Sequence, residues 1–135
     1  MKPDGLITLQ SAHGPQETME RLVDAVTRSG IAVLARIDHA AAAHKAGLDL
    51  RPTEVLIFGN PKAGTPLMQK AQTLGIDLPL KALVWQDEAG TTWLSYNDPS
   101  WLAARHGLDP EANQAVAGMT AALASCARQA VGTAG

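Results

Sequence analysis

Asp38 and His39 stand side by side in ARIDHAAAAHKAG, the simplest pairing in the chain for proton chemistry. An imidazole oriented by a carboxylate can act as a general base, and a strand end gives it access to a substrate. The competing reading is structural. Asp38 is a natural N-cap for the short helix that the alanine run predicts, with His39 in its first turn, and capping preference favours this reading. A metal pair of His39 with His44 is not expected, because five residues turn a helix by about 500° and leave the rings about 140° apart around its axis. His13 and His106 have no ligand partner near them in sequence. Arg105-His106-Gly107 reads as a helix C-terminus, cations against the negative dipole end followed by the stopping glycine. One cysteine, Cys126, excludes an intrachain disulfide framework and a multi-cysteine zinc site within one chain. No metal and no cofactor is expected.

The stretch FGNPKAGTPLM, Phe58 to Met68, resembles a phosphate cradle at first sight. A phosphate-binding loop of that kind needs two glycines with four residues between them, then lysine, then serine or threonine. Gly59 and Gly64 have the spacing, but Thr65 stands where the lysine belongs and Pro66 where the hydroxyl belongs. Pro61 and Pro66 also remove two N–H donors. The sequence therefore predicts a loop capped into a helix by Thr65, with Pro66 at its first position. A weaker anion site at that helix start, with Lys62 nearby, is the alternative.

Trp85, Trp93, Tyr96 and Trp101 lie within one short segment. Strand core packing is the expected role, and an interface or ligand pocket the sharper one. Cys126 falls on an apolar stripe and reads as an inert buried thiol. No strand–GxSxG–helix elbow for a serine nucleophile is present.

These residues need elements to hold them. Leu6 to Leu9 reads as a strand, Gly14-Pro15 opens a helix, and Gly30 stops it. Residues 31–38 read as a strand, and a short helix capped by Asp38 ends at Gly47. Strand Glu54 to Phe58 follows Pro52, and the helix after it ends near Gly75. LKALVWQD and TTWLSYND form a hairpin about Glu88-Ala89-Gly90. Pro99-Ser100 opens a brief helix ended by Gly107, and an alanine-rich helix runs from Glu111 to Val131. Its stripe is Val116, Met119, Leu123 and Cys126, extended by Ala112 and Ala130. This order predicts a two-layer α+β domain with a largely antiparallel sheet of about five strands and helices packed on one face. A parallel crossover between the second and third strands is disfavoured, since the second helix is too short to cover it.

The 135 residues are expected to form one domain, with residues 1–4 and 132–135 frayed. The net charge of −2 and the scatter of 11 basic residues show no stripe for nucleic acid or for a membrane surface. No apolar run approaches the roughly 18 residues of a membrane span, and Leu6 to Leu9 is too short for a signal peptide core. A cytoplasmic location is the expectation.

From Ala35 to Gly107 the chain resembles the bacterial domain-of-unknown-function family 302. The strings that carry the likeness are Ile37-Asp38-His39, Phe58 to Pro61, Gly64 to Met68, Asp77 to Leu80 and Tyr96 to Pro99. The resemblance implies a small α+β fold with a TATA-binding-protein-like topology and a tendency to dimerise, with no inference of DNA binding. It carries no catalytic role. The matched strings supply Asp38, His39, Asn60, Thr65, Tyr96, Asn97 and Asp98 at predicted strand ends, and these join Lys62 as candidate site residues.

The expected function is a non-enzymatic homodimeric module that binds a small ligand or a protein partner. The alternatives are a small hydrolase- or lyase-type enzyme using Asp38 and His39 as acid and base, and a purely structural module. The dimer is also expected from the last helix, where no charge lies between Glu111 and Arg128 and small residues ring the circumference. A twofold partner would cover that surface. The alternative is an outer side wetted through Asn113, Gln114, Thr120, Ser125 and Gln129, with the dimer carried by sheet edges or the Trp85 to Trp101 region.

Overall fold

The computed structural model describes residues 3–111 and 113–132. Ala112, placed on the last helix's stripe above, lies outside them, as do residues 1, 2 and 133–135 of the ends expected to fray. The strands are β1 (Leu6–Gln10), β2 (Ala32–Asp38), β3 (Thr53–Gly59), β4 (Leu80–Gln86) and β5 (Thr92–Asn97). The helices are α1 (Pro15–Arg28), α2 (His39–Lys45), α3 (Pro61–Lys70), α4 (Pro99–Arg105) and α5 (Gln114–Val131), with a 3₁₀ turn at Gln72–Ile76. The sheet order is β1-β5-β4-β3-β2 and every neighbouring pair is antiparallel. The two-layer α+β architecture expected from the sequence is present, and β2 to β5 form the meander.

β1 and β2 occupy opposite edges of the sheet, so α1 must cross all five strands. Its 14 residues make about 21 Å of helix, which matches the roughly 19 Å of four interstrand spacings. Met19, Leu22 and Val26 recur at helical spacing and are fully buried. They meet Leu56 and Phe58 of β3, Ala82 and Val84 of β4, and Leu94 and Tyr96 of β5. Alternate residues of each strand face the helices, as the two-residue period requires. α5 completes this layer with Leu123, Cys126 and Ala130. A second cluster, Leu67, Leu74, Leu102 and Val116, joins α3, the 3₁₀ turn, α4 and α5.

Two helix starts differ from the expectation. α3 begins at Asn60, whose side chain caps Lys62 N–H, with Pro61 at the first position; Pro66 lies inside the helix. The sequence holds two cap–proline pairs five residues apart, Asn60-Pro61 and Thr65-Pro66. The first takes the cap because a helix begun there buries Gly64 and Leu67. The penalty is one proline that cannot donate to the Lys62 carbonyl. α3 also stops at Lys70 rather than near Gly75, and the 3₁₀ turn fills the difference. α5 starts at Gln114, not Glu111, because the Asn113 side chain accepts from Ala115 and Val116 N–H at 3.0 and 3.3 Å.

Candidate ligand-binding cleft

The sheet sorts the candidate residues by its ends. In antiparallel order, the starts of β2 and β4 share one end with the finishes of β3 and β5. Asn60, Lys62, Thr65, Tyr96, Asn97 and Asp98 follow from that end. Asp38 and His39 sit at the other, the length of β2 away, about 20 Å.

At the far end, Asp38 Oδ1 accepts from Ala41 N–H at 2.9 Å, which is the cap. His39 is exposed, and its side chain makes no hydrogen bond among the described residues. The two side chains are not brought together as a base pair. At the near end, Tyr96 is buried in the core, and that burial, then Asp98, raises its phenol above the usual range. Asp98 caps α4 through Ser100 N–H at 3.0 Å, and Asn97 is exposed. Lys62 is exposed in the first turn of α3.

Asn60 and Thr65 enter something larger. α3, α5 and the sheet end enclose a cleft of about 670 Å³. Helix α3 presents Pro61, Gly64, Thr65 and Met68 to it, and α5 presents Ala115, Gly118, Met119 and Ala122. Both sets follow the i, i+3, i+4, i+7 rule, so each helix gives the cleft one full stripe. The cleft exists because these stripes are made largely of small residues. A Cβ added at Gly118 would meet nothing within 4 Å. The strands add Ala32, Leu34, Phe58 and Leu80 as apolar wall.

A sealed void of 670 Å³ would cost about 16 kcal/mol, more than a domain's whole stability. The cleft instead opens to solvent past Ala32, Leu34, Pro61 and Thr65, all exposed. Its volume is that of an ordinary small-molecule site. None of the described residues lining it is charged, and its polar side chains are Ser29, Asn60, Thr65 and Cys126. Cys126 Sγ lies 3.6 Å from Ser29 Oγ and is fully buried in the wall.

The first turn of α3 has no donors to spare for phosphate. Lys62 N–H goes to Asn60 Oδ1 at 3.0 Å, while Ala63 and Gly64 N–H go to the Asn60 carbonyl at 2.9 and 3.0 Å. Pro61 has no N–H.

A second polar arrangement was not visible in the sequence. His106 Nε2 meets Asp77 Oδ2 at 2.5 Å, and its Nδ1 meets Thr73 Oγ1 at 2.8 Å. This is the order of a hydroxyl–imidazole–carboxylate relay. However, Arg105 Nη1 also holds both Asp77 oxygens, each at 2.9 Å, and none of the three relay residues lines the cleft. The cluster staples the 3₁₀ turn to the end of α4. His106 and Asp77 are 29 residues apart, so no local spacing announces them.

The aromatic segment divides. Trp85 and Trp93 stack across β4 and β5 on the sheet face away from α1, ring centres 6.2 Å apart. Their indole N–H groups are used internally, Trp85 to Ser95 Oγ at 2.9 Å and Trp93 to Asp87 Oδ2 at 2.8 Å. Trp101 is partly exposed beside Gly5.

The model of the family described as Domain of unknown function DUF302 matches residues 7–126. The chain belongs to the DUF302 family. Every residue lining the cleft falls inside the matched span. The crystal structure of an uncharacterized conserved DUF302 protein from Bacillus stearothermophilus has the same fold, with a TM-score of 0.83 and 26% identity. The likeness covers 95% of this chain and 99% of that one. The chain is also 45% identical over 128 residues to proteins named fluoride-specific ion channel FluC 1 from Brucella suis and Brucella abortus. That covers 95% of this chain but 50% and 47% of those proteins, so it spans about half the length of these curated relatives. Among the described residues of this DUF302 chain, no helix is long and apolar enough to cross a membrane.

Proposed function

We propose that this DUF302 chain is a non-enzymatic binding module whose site is the cleft between α3, α5 and the sheet end. The carrying observation is that cleft: a concave, apolar space of small-molecule size with a few polar groups at its mouth. The polar pairs that suggest catalysis lie elsewhere. Asp38 is used as a cap, and the His106 cluster stands outside the cleft. Asn60 and Thr65 are the candidates that take part, whereas Tyr96 is buried in the core, Asp98 caps α4 and Asn97 is exposed at the end of β5.

Native mass spectrometry of the protein purified without detergent tests this. The expected result is a non-covalent small molecule on the wild-type chain that is absent from Gly118→Leu. The bare 14.1 kDa chain mass throughout, with no uptake of added apolar compounds, would oppose it.

A homodimer acting in the cytoplasm is part of the proposal. The sheet face that carries Val55, Ile57, Leu83, Trp85 and Trp93, all half-buried, supports it as the surface for a second copy. Its cytoplasmic place rests on the single cysteine, which suits a reducing compartment.

The Brucella relatives favour a second reading, in which a module of this kind works beside a fluoride-specific ion channel. Co-expression with the remaining half of the Brucella suis relative checks it: co-purification supports the partnership and its loss at low stringency opposes it.

A further inference from the structure

We infer that the occupant of the cleft is a neutral, mostly hydrocarbon molecule carrying one hydrogen-bonding oxygen, with that oxygen met at the mouth by Asn60 and Thr65. This rests on the binding reading above and adds the chemical class of the ligand.

The charge of the site decides the first part. None of the described lining residues is ionisable as a cation or carboxylate, so a charged group drawn inside would lose its hydration with no counter-ion. The cations next to lining residues in the chain stay out of the cleft, Lys81 Nζ lying on the Pro79 carbonyl at 3.4 Å. Arg28 is paired with Asp24 at 3.0 Å and Arg36 with Glu54 at 2.7 Å. Lys62 follows Pro61 in the chain but does not line the cleft. The other usual anchor for an anion is a helix start with free N–H groups. Here Asn60 consumes the first donors of α3 with its own carbonyl and side chain. A carboxylate, phosphate or ammonium finds no partner in this wall.

The unspent polar groups decide the second part. Ser29 Oγ already donates to the Ala25 carbonyl at 2.9 Å. Asn60 Oδ1 accepts from Lys62, which leaves the Asn60 amide nitrogen and the Thr65 hydroxyl without partners among the described residues. Both residues are exposed, at the mouth, while Phe58, Leu123 and Cys126 are buried in the wall behind. An amide N–H and a hydroxyl suit a carbonyl, ether or alcohol oxygen. A hydrocarbon body then covers the apolar wall, which supplies the affinity.

The test uses N-phenylnaphthylamine, a neutral fluorescent probe, displaced by three competitors of equal chain length: dodecanol, dodecanoate and dodecylammonium. Dodecanol is expected to displace the probe at a concentration about tenfold or more below that needed for either ion. Thr65→Val is expected to weaken dodecanol several-fold more than it weakens the probe. Equal displacement by dodecanoate or dodecylammonium would overturn the neutral class while the cleft remains a binding site. Thr65→Val without effect on dodecanol would overturn the role of the mouth. Failure of the probe to bind the wild type, or equal binding to Gly118→Leu, would remove the binding reading itself. So would a Gly118→Leu variant that turns a dimer into a monomer with no probe bound by either form, because the cleft would then be a contact between copies. Leucine at Gly118 favours the helix and meets no neighbour at its Cβ, so this control folds; circular dichroism verifies it.

Discussion

Asp38 shows how a residue that suggests chemistry can be absorbed by a helix end. Its carboxylate accepts from Ala41 N–H, and asparagine does the same work in that position. Asp38→Asn is therefore expected to change stability little, and Asp38→Ala to lose about 1 kcal/mol, measured by urea unfolding. Asp87 makes a pH-dependent counterpart. Its carboxylate holds the Trp93 indole N–H first and then the Thr91 and Ala89 amides, which lowers its pKa from the ordinary 3.8. A carboxylate depressed in the fold adds stability that is complete above its unfolded pKa and fades as pH falls through the lower folded one. The melting temperature of Asp87→Asn should therefore fall below wild type at neutral pH, and the gap should begin to narrow below about pH 3.8 and close only below the lower folded pKa. A gap that persists in acid would assign the loss to geometry rather than charge. His106 was illegible at this scale because its partners, Thr73 and Asp77, reach it only through the fold.

Elements were more legible than single residues where their signals were local. Gly14-Pro15, Asp38 and Pro99 each mark a helix start that the structure shows, and the β4–β5 hairpin turns where Gly90 takes a positive φ of 87°. The start of α3 was ambiguous because both Asn60 and Thr65 precede a proline, and burial of Leu67 decides between them only after folding. Pro66 remains as an unfavourable interior proline. Pro66→Ala is expected to stabilise the chain by roughly 1–3 kcal/mol in the same unfolding assay, since it restores an N–H to the Lys62 carbonyl. The donors of the first turn are already taken, so ATP and GTP should show no saturable binding there by calorimetry. Micromolar binding abolished by changing Lys62 or Thr65 would contradict that. The small residues of α5 were visible in the sequence, but their use was not. They read as a surface awaiting a partner, and three of them, Ala115, Gly118 and Ala122, line the cleft. Composition reports small side chains; only the path of α3 shows what stands opposite them.

For the whole molecule, the antiparallel two-layer plan followed from strand alternation and from a second helix too short for a parallel crossover. The cleft did not follow, because it arises where three elements distant in sequence fail to fill the space between them. The proposed dimer belongs to this scale too. Light scattering at low micromolar concentration should report about 28 kDa, twice the chain mass, for an interface of typical affinity. A dimer that survives Ala121→Glu would place the interface away from the exposed side of α5, and a stable 14.1 kDa species would exclude it. The central claim is that the cleft takes up a small apolar molecule. Fluorescence titration of N-phenylnaphthylamine into wild type and Gly118→Leu tests it most directly. Saturable uptake at one site per chain in the wild type, lost in the variant while its fold is kept, is the predicted result. Absent or equal uptake in the two proteins would contradict it.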